Sequence, residues 1–508
     1  MSLKQQTVSG LLWSFLDDLA RGGLLFISGL VLARLLTPRE FGLIGMTTIF
    51  IAVAQTVVNS GFNQALIRKQ DCTQADYSTV FYFNFAVSFA LYLLLFAAAG
   101  PIAQFFHEPL LESILRVLGL GLLVGALGMV QQTQIVKEIG FKLLTRISLV
   151  SAAAAGLLGI SLAVAGYGVW SLVAMTLFRA TIELALLWLW RTWRPTLEFR
   201  WASFREMFAF GSRLLASGLI STLQIHVFNL VIGKCFSAVA LGYYTQAQTF
   251  RNLPSQRLND VVQRVSFPVL ATMQDDTARL KSAYRRMLQS TMLVSFALML
   301  GMGASAEALL ITLVGEPWRP AIAYLQLLCL AGMFYPLHAI NLNVFQVRGR
   351  SDLSLKLSAI KAVLVMPALA AGIYRGIPAM ILAMAFISFA SYVLTAIWSG
   401  RLIGYRVAEQ LRDVLPAFAL AASMAAVVHV CGRLLPFAPP LKLAAQVALG
   451  AGWTIGLAEL TRMDCYLYLK KLALDKLASG KPLPPERQEK TEAKAGAQPG
   501  PDPDRRCT

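Results

Sequence analysis

Charge is scarce in this chain. Asp, Glu, Lys and Arg make up 14% of its 508 residues, against roughly 25% in an ordinary soluble domain, and too few are present to coat the two or three water-soluble domains that the length would otherwise allow. Acids are scarcest, 27 against 45 basic residues, so the formal net charge is +18. The six cysteines, Cys72, Cys235, Cys329, Cys431, Cys465 and Cys507, form no CxxC pair, which excludes a zinc knuckle or a disulfide framework. The four histidines show no HxxxH spacing, and no metal is expected. A GxxxxGK phosphate loop is also missing, so the chain has no equipment of its own for ATP hydrolysis.

What is abundant is apolar residue, 56% of the chain. A bilayer core of about 30 Å takes about 20 residues of helix, and uncharged runs of that length recur at 41–67, 77–107, 117–136, 147–178, 214–233, 287–306, 321–347, 376–400, 414–432 and 443–458. Adding the segments that carry a few charges predicts about fourteen transmembrane helices, an all-α polytopic membrane protein. Runs such as Ala152 to Ala155 do not alternate as barrel strands must. The first apolar segment carries Asp17, Asp18 and Arg21, which a cleavable signal peptide would not.

Position gives the basic residues their meaning. With the N-terminus in the cytoplasm, eight of the 45 Lys and Arg fall on the outer side and five inside helices, leaving 32 on the inner side. By the positive-inside rule both termini are expected to be cytoplasmic. The excess charge is then a topology signal and a contact with anionic membrane lipid, and nucleic acid is not expected as a partner. After residue 463 the sequence turns amphipathic, and beyond Ser479 it is rich in Pro, Lys and Glu. An interfacial helix followed by a solvated tail is expected there.

The chain also repeats itself. Residues 32–42 laid on 232–242 match Arg34 with Lys234, Thr37 with Ser237, Phe41 with Leu241 and Gly42 with Gly242, and each segment sits at an outer hairpin. Six helices separate the copies, so both enter the membrane in the same sense, as a parallel repeat. Two six-helix lobes are expected, 1–200 and 201–405, followed by two further helices in 406–462 and the cytoplasmic tail 463–508.

Ionisable and amide groups inside spans cost several kcal/mol unless they face water or a partner. Asp17 and Arg21 lie on one stripe of the first span, with Asp18 beside them; Arg213 and Gln224 fall on the corresponding stripe of the seventh. Gln55 and Asn59 are four apart in the second span, and Gln248 and Arg251 belong to a polar eighth span. Arg251 is expected about 15 Å below the outer surface, near the midplane. These stripes predict a hydrated, cationic cavity between the lobes, where an Arg fork suits phosphate. Two bland readings stand beside it: an intrahelical Asp–Arg pair that lowers the insertion cost, and amides that bond helix to helix. Lys361 and Arg257 are expected to snorkel at the inner boundary, and Arg179 with Glu183 to form an i, i+4 pair.

The segment Leu-Ala-Arg-Leu-Leu-Thr-Pro-Arg-Glu-Phe-Gly-Leu-Ile-Gly-Met at 32–46, followed by Gly-Phe-Asn-Gln-Ala-Leu-Ile-Arg at 61–68, closely resembles the polysaccharide transporter family, the Wzx-type flippases of the MOP exporter superfamily. Leu241-Gly242-Tyr243-Tyr244 and Phe267-Pro268-Val269-Leu270 are similar to that family's eighth helix. The resemblance implies a flippase, not an enzyme, that moves undecaprenyl-diphosphate-linked oligosaccharide across the bacterial inner membrane by alternating access, for surface polysaccharide or lipopolysaccharide assembly. It implies a cationic cavity to which Arg21, Arg213 and Arg251 contribute, with Gln55, Asn59, Gln224 and Gln248 as further substrate contacts. Na+ or H+ coupling is a further implication, with Asp17 and Asp18 as candidates, and no cofactor is expected. The polymerase and glycosyltransferases of the same pathway are the implied protein partners. A multidrug or ion antiporter of the same superfamily and a membrane polymerase or glycosyltransferase are the alternatives. The first would favour a more acidic cavity, the second a large outer loop with acid and base residues.

Overall fold

The computed structural model describes residues 22–59, 61–69 and 71–479. Asp17, Asp18 and Arg21 therefore lie outside the described residues. Every regular element within them is helical: α1 (Gly22–Leu35), α2 (Pro38–Asn59), α3 (Phe62–Arg68), α4 (Gln74–Phe106), α5 (Leu110–Lys137), α6 (Phe141–Val164), α7 (Val169–Trp190), α8 (Trp201–Cys235), α9 (Ala238–Ala271), α10 (Thr277–Ala304), α11 (Ala306–Leu313), a 3-10 turn at Glu316–Trp318, α12 (Ala321–Gly332), α13 (Tyr335–Val347), α14 (Ser351–Arg375), α15 (Ile377–Ile403), α16 (Val407–Leu434), α17 (Pro439–Leu460) and α18 (Asp464–Ser479). Among the described residues, 12 candidate spans are long and apolar enough to cross a membrane. The other two expected spans fall on α1 and on the polar α9.

Breaks inside three spans are the main departure from the expected pattern. The second span is interrupted at Gly61, whose φ of 75° precedes α3; the ninth divides at Ser305 into α10 and α11; the tenth divides at Met333 and Phe334 into α12 and α13. The last break has a local cause. Pro336 lies in the first turn of α13, where its missing N–H costs no hydrogen bond, while its ring is incompatible with a continuous helix through Gly332. Ends elsewhere are capped from the sequence: Thr73 and Asp76 form a reciprocal capping box on α4, and the Asp276 carboxylate accepts from the N–H groups of Ala278 and Arg279 on α10.

The two repeated halves meet through their first pairs of helices. Where the first turns of α2 and α9 meet, Gly42 lies against the Ala238 carbonyl and Gly242 against the Pro38 carbonyl, and a Cβ at either site would collide with backbone. These glycines are the pair matched by the 200-residue shift, so the pseudo-two-fold passes between them. Farther in, Thr56 and Thr222 hydroxyls meet at 2.9 Å, joining α2 to α8, and Phe62 stacks on Phe204 at 6.0 Å. Phe26 of α1 meets Phe250 of α9 edge-on at 5.5 Å. Each half thus lends its first helix to the second helix of the other. Past the repeat, α16 packs on α10, with α17 outside it on α11 and α16. The expected amphipathic helix is α18, whose Tyr466 and Leu469 pack on the core while Lys470 pairs with Glu459 at 2.5 Å.

Candidate functional site

Arg251 is set deep in the C-terminal half. Counting from Ala238, it lies about 20 Å along α9, level with the break between α12 and α13, which is about 18 Å along its own span. Its aliphatic stem occupies the space that a side chain on Gly332 would need, 2.8 Å from the would-be Cβ. Glycine at the end of α12 is therefore what lets the arginine reach the break. The guanidinium lies within electrostatic reach of Tyr244, Cys329 and Tyr335, and its Nε carries no hydrogen-bond partner. A cation at a broken helix near the midplane is the arrangement in which interrupted spans hold ionic substrates.

Other expected residues divide between exposure and internal bonding. Gln55 and Asn59 are exposed on α2, Gln248 is half-buried on α9, and Arg213 falls on α8. Gln224 donates from Nε2 to the Ser358 carbonyl at 3.1 Å, so it ties α8 to α14, the helix-to-helix reading of its stripe. Arg179 and Glu183 form the expected pair at 3.6 Å.

Lys361 departs from expectation. It is the eleventh residue of α14, about 15 Å from the inner end, and its Nζ lies 2.5 Å from His338 Nε2 on α13 instead of extending to the inner boundary. The sequence carried no signal for this contact; Gly332 and Pro336, four apart in an otherwise apolar run, mark only the break between α12 and α13.

One end of the helix bundle carries a reciprocal pair of ties. Arg34, at the end of α1, donates from Nε to the Leu313 carbonyl at 2.9 Å and from Nη2 to the Thr312 carbonyl, the last turn of α11. Lys234, at the end of α8, donates to the Phe105 carbonyl at 2.5 Å, the last turn of α4. Each cation sits on the negative end of a helix in the opposite half. The Trp318 indole N–H adds a bond to the Ala33 carbonyl at 2.7 Å. Arg34 and Lys234 are the repeat-matched cations, and together with the Gly42–Gly242 crossing they fasten the two halves at this end. Just below, a cavity of about 200 Å³ between α1, α2 and α9 is lined mainly by apolar groups such as Phe26 and Ile44, with Thr48, Thr245, Gln246 and Thr249 as its polar members.

At the opposite end of the bundle Lys69 bridges Asp76 and Glu206, each at 3.2 Å. Burial works against its ammonium, but hydrogen bonds to Glu206 and Asp76 outweigh this and raise its pKa. Among the described residues no group of three or more His, Cys, Asp or Glu is placed to hold a metal ion.

Comparison with known proteins agrees with this architecture. The WzxC lipopolysaccharide biosynthesis protein of Escherichia coli K12 is 26% identical over 378 residues, covering 73% of this chain and 76% of its own length. The TuaB teichuronic acid biosynthesis protein of Bacillus subtilis 168 is 26% identical over 355 residues, 70% and 74% respectively. The fold is that of a solved lipid II flippase, MurJ in an inward closed conformation, with a TM-score of 0.73 at 13% identity over 89% of this chain and 98% of that one. An inward-facing MATE multidrug transporter of the MOP superfamily gives 0.60 at 14% identity over 75% and 94%. A family model described as polysaccharide biosynthesis protein matches residues 31–323, more than half of the sequence; the chain is a multi-pass membrane member of that family.

Proposed function

We propose that this protein is a flippase for lipid-linked oligosaccharide, carrying the diphosphate-sugar headgroup through its interior while the polyprenyl chain stays in the bilayer. The observation that carries this reading is Arg251, a guanidinium near the midplane beside a broken span, with an Nε that no group among the described residues satisfies. A diphosphate supplies the charge and acceptors that such a group lacks, and a planar fork binds phosphate oxygens in pairs. Arg213 and Arg21 are the further cations of this site, and Gln55, Asn59 and Gln248 offer amides to sugar hydroxyls. The titles of relatives support the substrate class: lipopolysaccharide and teichuronic acid biosynthesis, and lipid II flipping.

The protein acts as a transporter, not as a catalyst. The fastened end is the outer rim in this reading, and it belongs to a state in which the headgroup enters from the cytoplasmic side. Release to the outside requires Arg34 and Lys234 to leave their helix ends and α2 to move from α9, which is alternating access about the pseudo-two-fold. In this reading both termini are cytoplasmic, the membrane is the bacterial inner membrane, and the neighbouring polymerase and glycosyltransferases consume and supply the substrate. Asp17 and Asp18 are the proposed site of Na+ or H+ coupling, and export that survives neutralisation of both would exclude them.

Complementation tests the reading. In a strain lacking the gene, Arg251→Ala, present in the membrane at wild-type level, is expected to leave surface polysaccharide absent and lipid-linked intermediate accumulated. Normal polysaccharide from that variant would overturn the assignment.

A further inference from the structure

Lys361 and His338 form a contact that the anion site as described does not use. Both are basic, yet their nitrogens are 2.5 Å apart, a distance at which one must donate and the other accept. The two facing nitrogens therefore share a single proton; with lysine, the stronger base, as the ammonium donor and imidazole as the neutral acceptor, the pair bears one positive charge. The other ring nitrogen, His338 Nδ1, is buried without a hydrogen-bond partner. Both residues are about 15 Å from the inner ends of their helices. His338 is three residues after Tyr335, which lies within electrostatic reach of Arg251. Lys361 is three residues after Ser358, whose carbonyl Gln224 holds. The pair thus sits on the wall that joins Arg251 to Gln224.

On the helices packed around α13 and α14, the described titratable groups that are buried or half-buried are Tyr243, Tyr244, Arg251 and Arg257 of α9, Lys281 and Tyr284 of α10, Tyr324 and Cys329 of α12, His226 and Lys234 of α8, and Tyr392 of α15. None of these is a carboxylate, and among the described residues the charged group that acts on His338 is Lys361. A second proton on His338 would set two cations side by side with no acid to balance them. With no carboxylate among the described groups here, a bound anion is the natural source of the balancing charge.

We propose that Lys361 and His338 are a proton-linked anion site, which takes up one proton when a diphosphate headgroup binds. The proton comes from solvent and goes to His338 Nε2; the Lys361 ammonium, released from that nitrogen, donates to a phosphate oxygen; on departure of the diphosphate the imidazole returns the proton and accepts from lysine again. No covalent bond changes. This inference rests on the flippase reading above, and extends it by assigning a headgroup contact and a linked proton to residues outside the Arg251 site.

The test is calorimetric binding of farnesyl diphosphate to the purified full-length protein in micelles at pH 7.5, in buffers of different ionisation heats, which gives the protons taken up on binding. Wild type is expected to take up close to one proton. His338→Gln, which keeps an acceptor for lysine, is expected to bind with essentially no uptake beyond that of the ligand itself. Lys361→Met is expected to bind about tenfold or more weakly, as befits loss of a charged hydrogen bond. Equal proton uptake by wild type and His338→Gln would overturn the pair's role while leaving the Arg251 site standing. Absence of any binding to wild type would overturn the anion reading of the cavity, and this inference with it.

Discussion

Arg251 illustrates how much one residue demands of its surroundings. A guanidinium inside the bilayer costs on the order of 2.5 to 3.5 kcal/mol, and here its stem is admitted only because position 332 has no side chain. Gly332→Val should push the stem aside. The expected outcome is loss of export comparable to that of Arg251→Ala, with the protein still in the membrane, as measured by surface polysaccharide and immunoblot. Arg251→Lys keeps the charge but loses the two-pronged donor, so it should restore only part of the export that Arg251→Ala removes. Unaltered export in Gly332→Val would mean that the arginine's position at the break does not matter. That Arg251 lies deep was legible in the sequence, because a charge in the middle of an expected span has a calculable depth. Its neighbours were not. Lys361 and His338 lie 23 residues apart on different helices, and only the packing of α13 against α14 brings them together; hydropathy alone placed Lys361 at the inner boundary.

At the scale of elements, the proposed outer rim is held by ties between helix ends. A hydrogen bond to a charged group is worth roughly 1.5 to 3 kcal/mol, and Arg34 and Lys234 each make at least one such bond to the opposite half. Removing them should favour the outward-open state. With Thr245→Cys as reporter in a background without the six native cysteines, an impermeant maleimide added from outside should label Arg34→Ala or Lys234→Ala about tenfold faster than the parent, and the double variant faster still. Labelling unchanged in both would deny the ties a role in closure. The Gly42–Gly242 crossing makes a separate claim. Valine at either position meets backbone, and overpacking of this kind costs about 1 to 3 kcal/mol, so both variants should show a lowered Tm as purified protein, and Gly42→Val and Gly242→Val should be similar. Equal Tm to the parent would contradict the close approach. The 200-residue shift exposed both matched pairs in the sequence. It gave no hint that the cations reach across to helix ends, because the receivers are backbone carbonyls and carry no residue signature.

Across the whole molecule, the scarcity of charge located the spans, and the placement of basic residues suggested their orientation. The breaks within spans escaped hydropathy because a window of about 20 residues averages over Gly332 and Pro336. The exchange of first helices, α1 toward α9 and α8 toward α2, escaped it as well, since a parallel repeat fixes the relation of two halves and not which helices each lends to the other. The resulting molecule has two related halves tied together at one end, with Arg251, His338 and Lys361 set deep between its helices, an arrangement that suits the proposed carrier of an anionic headgroup. The most direct measurement is the leaflet in which the substrate resides. In spheroplasts of a strain lacking this gene, lipid-linked oligosaccharide should accumulate inaccessible to an added impermeant glycosidase; wild-type protein should render it cleavable and Arg251→Ala should not. Intermediate that is equally cleavable with and without the protein would contradict the account.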